Sequence, residues 1–185
     1  ISAFKPPADA PITTMNLGAD IASYLDAKLH DKHPQDFYRW KFPNTKQLEQ
    51  FPNNHLHRFL ENKDTYSINS QLKQVVSDIL QMEDLDKAPI YDWIVKSWGG
   101  IRRGNIDPKR AKDATGGKVE VKRIASYSKI AAFSKPKEYF IYDARTTYSL
   151  NWILFQKALE GKDVEFFKFV PTRNTKMKSL NLQKQ

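Results

Sequence analysis

The strongest pattern along the chain is an apolar stripe. Ile68, Leu72, Val75, Val76, Ile79 and Leu80 recur at three- and four-residue steps, with Gln71, Lys73, Gln74, Ser77 and Asp78 between them. A helix turns once every 3.6 residues, so this spacing gathers the apolar side chains on one face and predicts a core helix over about 65–83. A first helix is expected over roughly 17–30, with Ile21, Tyr24, Leu25 and Leu29 on one side. Asn44 with Gln47 three residues on predicts a short helix over 45–51, and Pro52-Asn53-Asn54 breaks it and caps another over about 54–62. Pro89 suits a first helical position, where a missing N–H is no loss, and Ile90, Trp93, Ile94 and Trp98 follow at helical spacing. Gly99-Gly100 is expected to end that helix.

The second half is more broken. Asp107-Pro108 restarts a short helical turn, and Asp113 to Gly117 reads as a flexible loop. Ser126 is placed to cap a short helix carrying Ile130, Ala131 and Phe133, which stops before Pro136. Asp143 is placed to cap the last long helix, about 144–160, closed by Gly161. Val164 to Val170 reads as one strand, ended by Pro171, and needs a partner. Either 36–42 or 118–124 fits that role, although 36–42 reads equally well as an aromatic loop. The fold class expected is mainly α with a minor β element, built as a helical bundle. Residues 1–14 are expected to form a flexible arm, 15–170 a single mainly helical domain and 171–185 a basic tail. Within the domain, N-terminal helices over 15–98 precede a basic half over 99–170.

Charge changes this picture. The 185 residues carry a formal net charge of +9, but residues 1–95 hold 10 basic against 13 acidic residues. Residues 96–123 hold 9 basic against 3 acidic, and residues 168–185 hold 5 basic and no acidic ones. A positive excess confined to one half suits a polyanionic partner, because basic side chains displace counterions from phosphates. DNA is the expected partner, and a solubilising surface with a frayed basic tail is the plain alternative. There are no cysteines, which excludes disulfides and thiolate chemistry. No run approaches 18 apolar residues, so no membrane partner is expected. The start, Ile1-Ser2-Ala3-Phe4, shows no targeting character, and the expected location is cytoplasmic or nucleoid-associated.

Two stretches are candidates for chemistry. In Trp98-Gly99-Gly100-Ile101-Arg102-Arg103-Gly104-Asn105, three glycines surround two arginines. Backbone amides in such a loop approach an anion closely while the guanidinium forks of Arg102 and Arg103 bind it. A helix stop followed by a solvated turn explains the same residues. The second stretch runs from Ile124-Ala125-Ser126-Tyr127-Ser128-Lys129-Ile130 through Pro136 to Ile141-Tyr142-Asp143-Ala144-Arg145. A small-residue hairpin, a short apolar helix, a proline-marked loop and an aspartate opening the next helix follow in that order.

This order over about 118–160 resembles the helix-hairpin-helix, Gly/Pro-loop-Asp segment of the base-excision DNA glycosylase superfamily. The resemblance implies a helix-hairpin-helix-like C-terminal half and a DNA-repair hydrolase whose hairpin amides hold a phosphate beside a flipped nucleotide. It makes Asp143 the catalytic carboxylate and puts Ser126 and Ser128 at the two hairpin glycine positions. Lys129 and Arg145 then join Arg102 and Arg103 as nucleic-acid-binding residues. Ile130 stands at the family's catalytic-lysine position, which implies a monofunctional N-glycosylase without lyase chemistry.

Each residue also has a plainer reading. An Asp before a helix is most often an N-cap, and Tyr139, Tyr142 and Tyr148, which suit base stacking, equally suit a core. His30 with His33 and His55 with His57 lack the spacing and further ligands of a metal site, so neither metal nor cofactor is expected. The alternative to an enzyme is a non-enzymatic helical module that binds DNA or a protein.

Overall fold

The computed structural model describes residues 13–14, 17–37, 65–168 and 170, which fall into two compact units: residues 33–142, and residues 1–32 with 143–185. The expected helices over 45–51 and 54–62, residues 38–42 of the aromatic stretch and the 171–185 tail lie outside the described residues. The protein is mainly α with a minor β element. In chain order the elements are β1 (Thr13–Thr14), α1 (Leu17–Leu29), α2 (Pro34–Phe37), α3 (Thr65–Gln81) and α4 (Ala88–Asp92). A π-helical turn (Trp93–Trp98), α5 (Pro108–Thr115), α6 (Ile124–Ser134), α7 (Ala144–Leu159) and β2 (Lys162–Asp163) complete them. No described helix is long and apolar enough to cross a membrane.

In the 33–142 unit, α3 buries Leu72, Val76, Ile79 and Leu80, as its stripe requires. The run from Pro89 forms α4 but then widens: Gly99 N–H bonds to Ile94 O five residues back (2.9 Å), and Ile101 N–H to Val95 O (3.0 Å). The wider turn buries Trp93, Ile94, Val95 and Trp98 together. These side chains close on Phe133, whose ring stands edge-on to Trp98 at 4.9 Å and to Trp93 at 6.1 Å.

Helix α6 occupies the middle. Every residue from Ser126 to Ser134 is buried, packed on by α3, α5 and the π-helical turn. A helix covered on all sides needs its polar groups answered inside the protein. Ser77 Oγ donates to Ser134 O (2.7 Å), which closes the C-terminus of α6. Ser128 Oγ accepts from Tyr142 N–H (3.0 Å) and donates to Tyr142 O (3.3 Å), acting as a strand neighbour would for that residue. Ser128→Ala removes both of these buried hydrogen bonds, and a loss of about 1–3 kcal/mol is expected in urea unfolding.

Several local expectations change. Asp113 to Thr115 belong to α5, so the loop there begins at Gly116. Helix α6 starts at Ile124 behind Arg123, the only non-glycine among the described residues with positive φ (63°), so Ser126 is not its cap. Residues 118–123 form no strand.

In the other unit, α1 packs on α7, and β1 pairs in parallel with β2, Thr13 with Lys162 and Thr14 with Asp163. An ion pair between Lys162 and Asp20 ties β2 to the first turn of α1. Leu25 and Leu29, expected on the inner face of α1, are each 41% exposed. The strand expected over 164–170 is irregular among its described residues. Phe167 within it bonds to a side chain: buried Asn151 donates to Phe167 O (2.9 Å) and accepts from Phe167 N–H (2.8 Å). Asn151 meets the Phe167 backbone as a neighbouring strand would.

Candidate nucleic-acid interface

The loop over 99–107 is short, polar at its tip and held at both shoulders. Ile101 and Ile106 pack against the core on either side. Gly99 sits where a Cβ would lie 2.7 Å from Val95 O and 2.8 Å from Lys129 Cδ, so only glycine lets the chain pass this close. Gly104 (φ +91°) turns the backbone under Arg123, whose Nη2 would be 2.9 Å from an added Cβ. Arg123 donates to Asn105 O and lies 5.9 Å from the Tyr127 ring centroid. Tyr127 Oη accepts from Asp107 N–H (3.3 Å). Asp107 then caps α5, its Oδ1 accepting from Lys109 N–H (2.9 Å) and Arg110 N–H (3.1 Å).

On this held loop Arg102 and Arg103 are exposed, and neither makes an ion pair among the described residues. The structure sorts the other cations of 96–123 into two kinds. Lys96 is bound to Asp92 (2.6 Å), Arg110 to Glu120 (2.6 Å), and Arg123 to the loop backbone. Lys109, Lys112, Lys118 and Lys122 are exposed, with no carboxylate partner among the described residues. Lys109 and Lys112, three residues apart, share the face of α5 opposite buried Ala111 and Ala114. A cleft of about 340 Å³ lies between α5 and the 116–120 segment. It is lined by Arg110 and Lys118 but also by Asp113 and Glu120, so its charge is balanced and it is not an anion pocket.

The hairpin half of the expected site is placed differently. Ser126 (3% exposed), Ser128 (4%) and Lys129 (2%) lie within α6, not in a hairpin. The N–H groups of Ser126 and Tyr127 bond to Arg123 O (2.8 and 3.3 Å), and that of Ile124 to Val121 O (3.2 Å). Amides used in this way do not reach a phosphate, and Lys129 Nζ donates to Ala125 O one turn back (2.8 Å). The physical reason is the demand for small residues where α6 is crowded on every side. The same serines that read as a flexible hairpin let neighbouring helices approach. The exposed connection between two helices is instead 116–123, between α5 and α6.

Asp143 and Arg145 belong to the other unit. Asp143 caps α7: its Oδ1 accepts from Arg145 N–H (2.9 Å) and Thr146 N–H (3.2 Å), while Thr147 Oγ1 donates to its carbonyl (2.8 Å). Asp143→Ala is expected to cost about 1 kcal/mol in chemical denaturation and Asp143→Asn close to none, since asparagine caps equally well. Arg145 is exposed in the first turn of α7. Tyr139 stands against Gly117, where a Cβ would meet its hydroxyl at 2.2 Å, so this tyrosine has a packing role.

Two residues stand out that the pattern of the sequence leaves unmarked. Arg123 holds the loop, and its only signal is its place in a cation-rich segment. Lys73, read among the polar residues between the apolar positions of α3, is half-buried over aromatic rings. Compared with family models, curated proteins and solved structures, the chain matches none.

Proposed function

We propose that this chain binds DNA through the 99–107 loop, assisted by the lysines of α5 and of the 116–123 connection. The observation that carries the reading is the pair of exposed guanidinium groups of Arg102 and Arg103, without an ion pair among the described residues, on a backbone held at both ends. Phosphate is the ligand these groups suit best, because a planar guanidinium donates two parallel hydrogen bonds to one phosphate. A loop already ordered in the free protein loses little further entropy on binding. Four unpaired lysines from the same stretch add charge that carries no base preference, as contacts to the backbone of a duplex do.

Base excision is not the reading carried forward. The resemblance that suggests it assigns phosphate contact to Ser126, Ser128 and Lys129, which are interior, and catalysis to Asp143, whose Oδ1 caps a helix. A nucleic-acid-binding module accounts for the free cations without using those residues.

The test compares a labelled duplex with the same duplex in which one strand carries neutral methylphosphonate linkages. Binding that weakens at least tenfold on the neutral backbone is expected. Equal affinity for the two, or no retention of either at moderate salt, overturns the reading.

A further inference from the structure

Away from the cationic loop, the side of α3 facing the end of α6 carries a second polar feature. Lys73 extends over the aromatic cluster of the core, its Nζ 5.6 Å from the Trp98 ring centroid and 5.9 Å from that of Phe133. It lines a pocket of about 280 Å³ together with Tyr66, Ser70, Pro136 and Lys137. No carboxylate lines that pocket among the described residues. The neighbouring amides are occupied: Asn69 accepts from Trp98 Nε1 (2.8 Å) and donates to Thr65 O (2.9 Å), and Gln74 donates to Asp78 (2.9 Å). Lys73 makes no hydrogen bond or ion pair among the described residues. An ordinary surface lysine points its ammonium into water; this one lies along apolar walls.

We propose that Lys73 is a reactive amine whose pocket receives a small aldehyde or keto acid, with Lys137 meeting the acid's carboxylate. Two properties make an amine nucleophilic at neutral pH: removal from water, and a second cation nearby with no anion to offset it. Burial supplies the first and holds the Lys73 amine below the usual lysine range, and Lys137 lines the same pocket, where no carboxylate stands among the described residues. Among the described residues, the titratable groups that line the pocket beside Lys73 are Tyr66 and Lys137, neither of them a carboxylate. The step is a condensation. The nitrogen lone pair adds to the carbonyl carbon, the C=O π-bond opens, and oxygen takes up the proton that nitrogen loses. The resulting carbinolamine then expels its hydroxyl with the remaining N–H proton as water, leaving a C=N bond. No oxidant or reductant takes part.

The proposal separates from a merely structural lysine because burial alone would protect Lys73 from reagents. The folded wild-type chain is treated with limiting glyoxylate and cyanoborohydride near neutral pH, and the labelled lysines are located by peptide mass mapping. Label is expected at Lys73 several-fold faster than at the exposed Lys109 and Lys112, with the preference lost in denaturant. Labelling of Lys73 no faster than that of Lys109 and Lys112 overturns it. Lys137→Gln is expected to slow labelling of Lys73 by glyoxylate but not by uncharged acetaldehyde. Equal effects on both reagents, or none, remove Lys137 from the site.

Discussion

Phe133→Ala is expected to lower the free energy of unfolding by about 3–5 kcal/mol, the range for removing a large aromatic side chain from a packed interior. Phe133 is fully buried on α6, and Trp93 and Trp98 both stand edge-on against it. Its ring also underlies the Lys73 amine. Truncation leaves a cavity beside Trp93, Trp98 and Lys73. A loss of this size is a large part of the stability of an ordinary domain. In guanidinium unfolding the midpoint should fall with the slope unchanged, which marks a stability change in a still cooperative unit. The 99–107 loop leans on this core through Ile101 and Ile106, so DNA binding should weaken in the same variant.

Arg102→Gln with Arg103→Gln should do the opposite. Both side chains are exposed, and neither makes a hydrogen bond or ion pair among the described residues, so the unfolding midpoint should stay within experimental error. Binding to a duplex should fall sharply. A hydrogen bond to a charged group contributes about 1.5–3 kcal/mol, so losing one such contact at each arginine predicts at least a hundredfold weaker complex. Glutamine keeps the length and polarity of the side chains and removes only the charge and the fork. The contrast between the two variants separates a binding residue from a folding residue. Arg123 belongs to neither kind alone: its guanidinium is spent on Asn105 O, so it sets the shape of the loop instead of meeting the ligand.

Much of the helical framework is legible from the order of apolar residues. The stripe of α3 sits inward where it was expected, since one apolar face of a long helix has few alternatives. Asp107 and Asp143 cap their helices because a short carboxylate before a helix has amides within reach. The mainly α class follows from the same two signals.

Where sequence and structure part, the reason is tertiary. Helix α6 is covered on all sides, and its serines are there for size and for the hydrogen bonds they make to Tyr142 and Thr115. Periodicity distinguishes one face from another, and a helix without a solvent face has none to show. The strand expected over 164–170 fails for a related reason. Alternation marks a segment that needs a neighbour, but it does not tell that Asn151 will serve as one. Of the candidate interface, Arg102 and Arg103 are legible as a glycine-flanked pair. Which of the surrounding cations are already engaged is not, because the partners Asp92, Glu120 and Asn105 are assigned only by folding.

The central claim is that unpaired cations of residues 99–123 meet phosphates, and the dependence of duplex affinity on salt tests it most directly. Each neutralised phosphate should contribute about −0.9 to the slope of log affinity against log salt concentration. Two arginines and some of the four lysines predict a slope between about −2 and −5 for the wild-type chain. A slope indistinguishable from zero would contradict the account.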